Sequence, residues 1–156
     1  MIQMTDVVNL LLLSKRPLIH IGQGARHAEK EFRTLIERYS IPYVTARNAN
    51  DMGYHIDNLY IGRPGTFAQR GANFAVQLCD VYLAIGTRLS LTQTGYNSRD
   101  YARNAQIIQV NIDQAELDKG TLRNPLSIRA DSKEFLTELL KDLEGEIIPD
   151  WSIWLK

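Results

Sequence analysis

Only one cysteine, Cys79, stands in 156 residues. No internal disulfide can form, and no four-cysteine zinc site can be built. At the end of a helical stretch, that thiol reads as a buried one. Neither sign of charge is in excess, since Lys plus Arg and Asp plus Glu number 18 each. The chain therefore offers no net basic field for nucleic acid and no polybasic patch for a membrane surface. Residues 7–13 are apolar but far short of the ~20 residues that a bilayer span needs. Asp6 precedes them where a secretory signal would carry positive charge. These absences predict a cytoplasmic protein with no nucleic-acid or membrane partner. No Gly-Lys-Ser/Thr P-loop is present, which argues against phosphoryl transfer in the NTPase manner. His20, His27 and His55 lack metal-ligand spacing with acids or cysteine, and no Ser/His/Asp set lies on a recognisable turn. His20 alternates with apolar residues and reads as a core or semi-buried histidine.

What is present is an alternation of apolar runs and amphipathic stretches. The 44% hydrophobic and 23% charged composition is that of one globular domain with a real core. Residues 5–14 predict a helix that Thr5 or Asp6 can cap. Leu18-Ile19-His20-Ile21-Gly22 predicts a strand, and residues 25–39 a helix with Phe32, Leu35, Ile36 and Tyr39 inward. Further strands are expected at 41–45, 59–62, 81–86, 107–112 and 126–130. Residues 48–58 read as polar and turn-rich. A helix from about Ala68 to Leu78 has Phe74, Val76 and Leu78 as core candidates. Residues 89–104 form the longest stretch without an assigned element. Asp131 caps an amphipathic helix with Phe135, Leu136, Leu139, Leu140 and Leu143 on one face. Repeated βα alternation predicts an α/β fold, a parallel sheet with helices on both faces. The tail turns apolar again at 146–156, and Trp151 and Trp154 are expected to lie exposed until a following segment covers them.

In an open parallel sheet, ligands bind outside the carboxyl ends of the strands. Those ends here carry Gly22-Gln23-Gly24, Thr45-Ala46-Arg47, Gly62-Arg63-Pro64-Gly65-Thr66, Gly86-Thr87-Arg88, Asn111-Ile112-Asp113 and Ala130-Asp131. A glycine pair feeding a helix lets phosphate oxygens approach the backbone and meet a positive helix end. Arg63 and Arg88 can fork onto phosphate. Asn111, Asp113 or Asp131 can meet ribose hydroxyls or an adenine edge. Each piece also has a plain structural role. Asp131 and Asp113 can simply cap helices, Arg88 can be a surface cation, and the third position of a G-x-G-x-x-G/A ending falls at His27.

The ordered set of segments carries more weight than any single turn. Lys15-Arg16-Pro17-Leu18-Ile19-His20-Ile21-Gly22-Gln23-Gly24, Gly71-Ala72-Asn73-Phe74-Ala75-Val76, Cys79-Asp80-Val81-Tyr82-Leu83-Ala84-Ile85-Gly86-Thr87-Arg88-Leu89, Ile107-Ile108-Gln109-Val110-Asn111-Ile112-Asp113 and Ala130-Asp131-Ser132 follow in register. From about Lys15 to Leu143 the chain resembles the central domain of thiamine-diphosphate-dependent enzymes of the acetolactate synthase type. The resemblance implies a three-layer, Rossmann-like (DHS-like, NAD/FAD-binding) domain with six parallel strands, spanning residues 1–145. Residues 1–15 would be a leading helix, and 146–156 the start of a linker to a carboxy-terminal domain.

By the same resemblance this domain binds FAD or ADP. Gly22, Gln23 and Gly24 would face ribose and phosphates, and Thr45 and Ala46 would line the dinucleotide's path. Gly86 and Arg88 match a Gly-Ala-Arg turn, with Thr87 between them and Arg88 near flavin or diphosphate. Asn111 stands where an acid often contacts ribose, and Asp131 follows the strand bordering adenine. The chain departs from the pattern Gly-Met-X-Gly-Met-His-Gly at residues 62–68, from Asp-Asp-Arg at Ser90-Leu91-Thr92, and from an acid at Asn111. FAD, ADP and an empty, purely structural domain therefore all remain open. Thiamine diphosphate and Mg²⁺ would be held by amino- and carboxy-terminal catalytic domains of a parent chain, itself a homodimer or homotetramer acting on 2-oxo acids. No catalytic residue is assigned here, and the domain alone is expected to be inactive. A sirtuin-like NAD-dependent enzyme is the remaining alternative, although the single cysteine removes the zinc tetrad such enzymes carry.

Overall fold

The computed structural model describes residues 4–53 and 58–156. Runs of aliphatic and β-branched side chains with no polar alternation suit strands covered on both faces. Six strands pair in parallel: β1 (Pro17–Ile21), β2 (Tyr43–Thr45), β3 (Tyr60–Gly62), β4 (Val81–Ile85), β5 (Gln106–Asn111) and β6 (Leu126–Arg129); the inner ones are such runs, whereas β6, Leu-Ser-Ile-Arg at the sheet's edge, alternates in polarity and in burial. Their order across the sheet is β3-β2-β1-β4-β5-β6. The α/β, Rossmann-like expectation is met. The direction of chain progression reverses between β1 and β4, which is the switch point of such sheets. Register levels the tips: Ile21 lies opposite both Thr45 and Ile85, Ile85 opposite Val110, and Val110 opposite Ile128.

The helices are α1 (Met4–Leu13), α2 (Glu29–Tyr39), α3 (Arg70–Leu78), α4 (Leu91–Thr94), α5 (Gln114–Leu117), α6 (Ser132–Asp142) and α7 (Ser152–Leu155). Pleating sends alternate strand side chains to opposite layers. Ile19, Ile21, Leu83, Ile85, Ile108 and Val110 meet α1, α2 and α6 in one core. Leu18, Tyr82, Ala84 and Ile107 meet α3 and the segment from Leu89 to Ala105 in the other.

Several expectations change. The helix expected over 25–39 begins as a 3₁₀ turn, Gln23–Ala28, and turns α-helical only at Glu29. The reason is long-range: Gly24 N–H bonds to the Gly86 carbonyl at 2.9 Å while Ala25 N–H closes onto Gly22, which winds the chain tightly. In α3, Phe74 and Leu78 are not core; they are 52% and 49% exposed. Val76 is core as expected, and Ala72, Ala75 and Cys79 face inward with it, because small side chains let the helix lie close on the sheet. Phe74 lies under the Arg70 guanidinium, 5.4 Å from its ring centre. Ile112 falls beyond the end of β5 and is exposed. The turn-rich segment contains a 3₁₀ stretch, Arg47–Met52; residues 54–57 of it lie outside the described residues. Within 89–104 stand α4 and a 3₁₀ turn at Ser98–Asp100.

The tail also folds back. Trp151 is only 5% exposed, and its indole N–H donates to the Ser14 carbonyl at 2.9 Å. Trp154, half-buried, donates to the Pro17 carbonyl at 2.9 Å. The same α1–β1 junction is held by Asp80, which accepts the Lys15 and Arg16 N–H groups at 2.8 and 2.9 Å and the Ser14 hydroxyl. Burial alone would raise the Asp80 pKa, but these donors hold it below the usual carboxylate value.

Trp151→Ala is expected to cost about 3 kcal/mol through lost burial and the cavity left behind, and Trp151→Phe about 1 kcal/mol through the lost hydrogen bond. Urea unfolding measures both. Equal stability of all three proteins would mean that the tail does not belong to the folded core.

Candidate nucleotide site at the strand tips

Three glycines determine how β1 and β4 end. A Cβ on Gly22 would lie 2.3 Å from the Gly86 oxygen and 2.5 Å from Thr87 Cα. A Cβ on Gly86, whose φ is +59°, would lie 2.6 Å from the Ala25 nitrogen. The two turns are thus in backbone-to-backbone contact at the switch point. Gly22 N–H donates to the Ile85 carbonyl and Gly24 N–H to the Gly86 carbonyl, both at 2.9 Å. These donors join the turns to each other.

The other expected residues lie along the same edge. Thr45 is buried with its hydroxyl 3.1 Å from Tyr60 Oη, and Ala46 N–H continues the ladder to the Ile21 carbonyl. Gln23 is exposed at the β1 tip. Asn111 is committed on both sides of its amide: Nδ2 donates to the Thr87 carbonyl at 3.4 Å, and Oδ1 accepts from Asp113 N–H at 3.1 Å. Asp113 caps α5 through Ala115 N–H. Asp131 caps α6 through the Lys133 and Glu134 N–H groups and also faces His27 Nε2 at 2.9 Å. Burial works to raise the Asp131 pKa, but those N–H groups and His27 hold it down. The β6 tip is therefore tied to the turn after β1. Arg88 leans the other way, onto Glu116 at 2.7 Å, with its side chain still 78% exposed. Buried Glu116 is clamped by Arg88 and Lys119, which outweigh its desolvation and keep it ionised.

Sequence reasoning missed Glu116, Lys119 and Gln93. Gln93 had a legible signal: Ser90-Leu91-Thr92-Gln93 spells the S-x-x-Q capping box, and Ser90 and Gln93 form it at the start of α4. The Gln93 amide also reaches inward, its Nε2 3.2 Å from His20 Nε2. His20 Nδ1 meets Tyr82 Oη, which lies 2.9 Å from Tyr101 Oη. With Gln93 donating to Nε2, the proton of neutral His20 sits on Nδ1 and points to Tyr82. Full burial pulls the His20 pKa down to about 3. Cys79, sealed in the same layer, has its thiol pushed up to about 12 by burial and by Asp80, so it is an inert packing group.

For an anionic nucleotide the tips fit unevenly. The glycine N–H groups, Asn111 and Asp131 already have partners. Capacity remains on Gln23, on the exposed Arg88 guanidinium and on Arg63, whose Nε is buried with no acceptor. An open concavity of about 640 Å³ follows the outer face of α6 from Asp131 to Lys141. It touches the rim only at Asp131 and is a surface trough. Among the described residues, no group of three or more His, Cys, Asp or Glu is placed to hold a metal, and no helix is long and apolar enough to cross a membrane.

The family model for the central domain of thiamine pyrophosphate enzymes matches residues 4–139. The chain belongs to that family. Among curated relatives, the acetolactate synthase large subunit of Cyanidium caldarium is 35% identical over 144 residues, covering 91% of this chain and 24% of the relative. The probable acetolactate synthase large subunit of Methanocaldococcus jannaschii is 34% identical over 157 residues, covering 99% and 26%. Isozyme 1 of Escherichia coli is 29% identical over 147 residues. The chain thus spans about a quarter of the length of these relatives. Membership in this family sets aside the sirtuin-like alternative.

Gly22→Ala is expected to cost about 3 kcal/mol, the upper end for overpacking, because rigid backbone must move, whereas Gly71→Ala, which meets nothing within 4 Å, should gain about 0.5–1 kcal/mol through helix propensity. Urea midpoints give both signs. The His20 pKa is depressed on folding, so its stabilising effect is complete above pH 6.5 and is lost as pH falls toward about 3. Over that window the native protein should lose stability more steeply than His20→Gln, by up to about 1.4 kcal/mol per pH unit. Parallel profiles would show that His20 is not buried neutral.

Proposed function

We propose that this chain is the nucleotide-holding central domain of an acetolactate synthase-like enzyme acting on 2-oxo acids, by carbon–carbon bond formation or decarboxylation. The observation that carries the reading is the level rim of six parallel tips, with a side-chain-free turn contact at the switch point. That is where sheets of this topology receive dinucleotides. FAD or ADP would lie across it. Gly22, Gly24 and Gly86 act by leaving space. Gln23 would line the path, with buried Thr45, Ala46 and Thr87 as the floor beneath it; Arg88 would face the diphosphate, and Asn111, Asp113 and Asp131 would border the adenosine end. Thiamine diphosphate with Mg²⁺, held by amino- and carboxy-terminal domains, supplies the carbanion chemistry. This domain's residues bind and orient. The parent would assemble as a homodimer or homotetramer in the cytoplasm.

A second reading has its own observation. The Gly22 and Gly24 N–H groups are spent on β4, as a spacer with no ligand would need. Calorimetry of the chain with FAD, ADP and CoA separates the two. Binding of FAD or ADP below millimolar concentration supports the first reading, and silence at millimolar ligand supports the spacer. In either case the chain alone, given thiamine diphosphate and Mg²⁺, is expected to consume no pyruvate.

A further inference from the structure

The geometry points to Arg63 as an anchor for a phosphate oxyanion at the β3 end of the rim. The inference rests on the nucleotide reading only for what carries the phosphate. Its first support is an unmet donor. Among the described residues, two buried side-chain atoms lack a hydrogen-bond acceptor or donor, Arg63 Nε and Glu116 Oε2. Glu116 Oε2 has the Lys119 ammonium against it. Arg63 Nε has neither a hydrogen bond nor an ion pair. A buried donor left unmet costs about 1–3 kcal/mol, and more when charged.

The second support is the charge at this end of the rim, where Arg47 and Arg63 both lack an ion pair among the described residues while Arg26 and Arg88 farther along have one. Arg26 pairs with Asp51 at 2.9 Å, and Arg88 with Glu116 at 2.7 Å. No described carboxylate lies within ion-pair distance of Arg63. Among the described residues, Arg63 therefore has no carboxylate partner of its own.

The third support is the rigidity of the loop that carries it. Arg63 N–H donates to Gln69 Oε1 at 2.6 Å, and Gln69 N–H returns to the Arg63 carbonyl at 3.0 Å. Asn73 grips Gly65 from both sides, accepting from its N–H at 2.8 Å and donating to its carbonyl at 3.1 Å. Thr66 N–H fixes the loop to the Thr92 carbonyl of α4 at 2.8 Å. Gly62 and Gly65 on either side of Arg63-Pro64 both have φ +125°, a conformation that suits glycine. A loop held at so many points fixes a guanidinium that is short of one acceptor at its buried Nε, and because Arg63 is only part-buried the rest of its head can meet an acceptor from outside the chain. The guanidinium fork matches phosphate oxygens, and the loop sits at the sheet edge where such ligands enter.

The test compares ADP, adenosine and inorganic pyrophosphate on the wild-type chain, Arg63→Gln, and Arg99→Gln as a charge control outside residues 62–66. Calorimetry gives affinities, and amide NMR shifts give the location. ADP is expected to bind at least tenfold more tightly than adenosine. In Arg63→Gln that preference should fall below about threefold, and in Arg99→Gln it should persist. Pyrophosphate alone should shift the amides of residues 62–66. The melting temperature of Arg63→Gln should not fall, since an unmet donor has been removed; a purely structural Arg63 would lower it. Equal ADP preference in Arg63→Gln and wild type overturns the Arg63 site while leaving the nucleotide reading standing. Pyrophosphate binding that needs Arg63, without any ADP or adenosine binding beyond it, upholds the site and removes the nucleotide reading. No response to any of the three ligands overturns both.

Discussion

The contact between the turns after β1 and β4 is the constraint from which the rest of the rim follows. Because Gly22, Gly24 and Gly86 have no side chains, two strand ends meet at backbone distance and share hydrogen bonds. That contact winds residues 23–28 into a 3₁₀ turn and delays α2. It also places His27 opposite Asp131, so the turn after β1 and the tip of β6 are tied together across β4 and β5. A methyl group at any of the three positions would push the turns apart. The level tips would then no longer be level.

Behind the rim, polar groups are threaded through a layer that is otherwise apolar. Gln93, His20, Tyr82 and Tyr101 form a chain of contacts from α4 to the underside of the sheet. Every member has a partner, which is the condition under which a buried polar network specifies structure rather than weakening it. α4 is the outer end of that chain. It is joined to β1 through His20, to the β4 turn through Thr87 and Ser90, and to the β3 loop through Thr92. One helical turn of four residues thus braces three strand tips.

The sheet was legible because its inner strands, buried on both faces, write themselves as nearly unbroken apolar runs, and because βα alternation admits few topologies; β6, which alternates, was the weakest signal. The position of the candidate site was legible for the same reason, since parallel strands put all their carboxyl ends on one edge. Pairings across that edge were not. Arg88 with Glu116, His27 with Asp131 and Gln93 with His20 join residues far apart in sequence, and no local pattern announces them. α3 misled through side-chain size: Phe74 and Leu78 look like core, but close packing on the sheet selects Ala72, Ala75 and Cys79. The tail misled because the carbonyls that receive its indoles belong to the α1–β1 junction, 137 residues earlier.

Those two indole bonds have a mechanical meaning. Pro17 opens β1, so the tail is fastened at the amino pole of the sheet, while every candidate ligand contact lies at the opposite pole. Force arriving through residues 151–156 would be absorbed by α1 and the start of β1. The strand tips stand a full sheet-height away, with the whole length of the hydrogen-bonded sheet between them and that load.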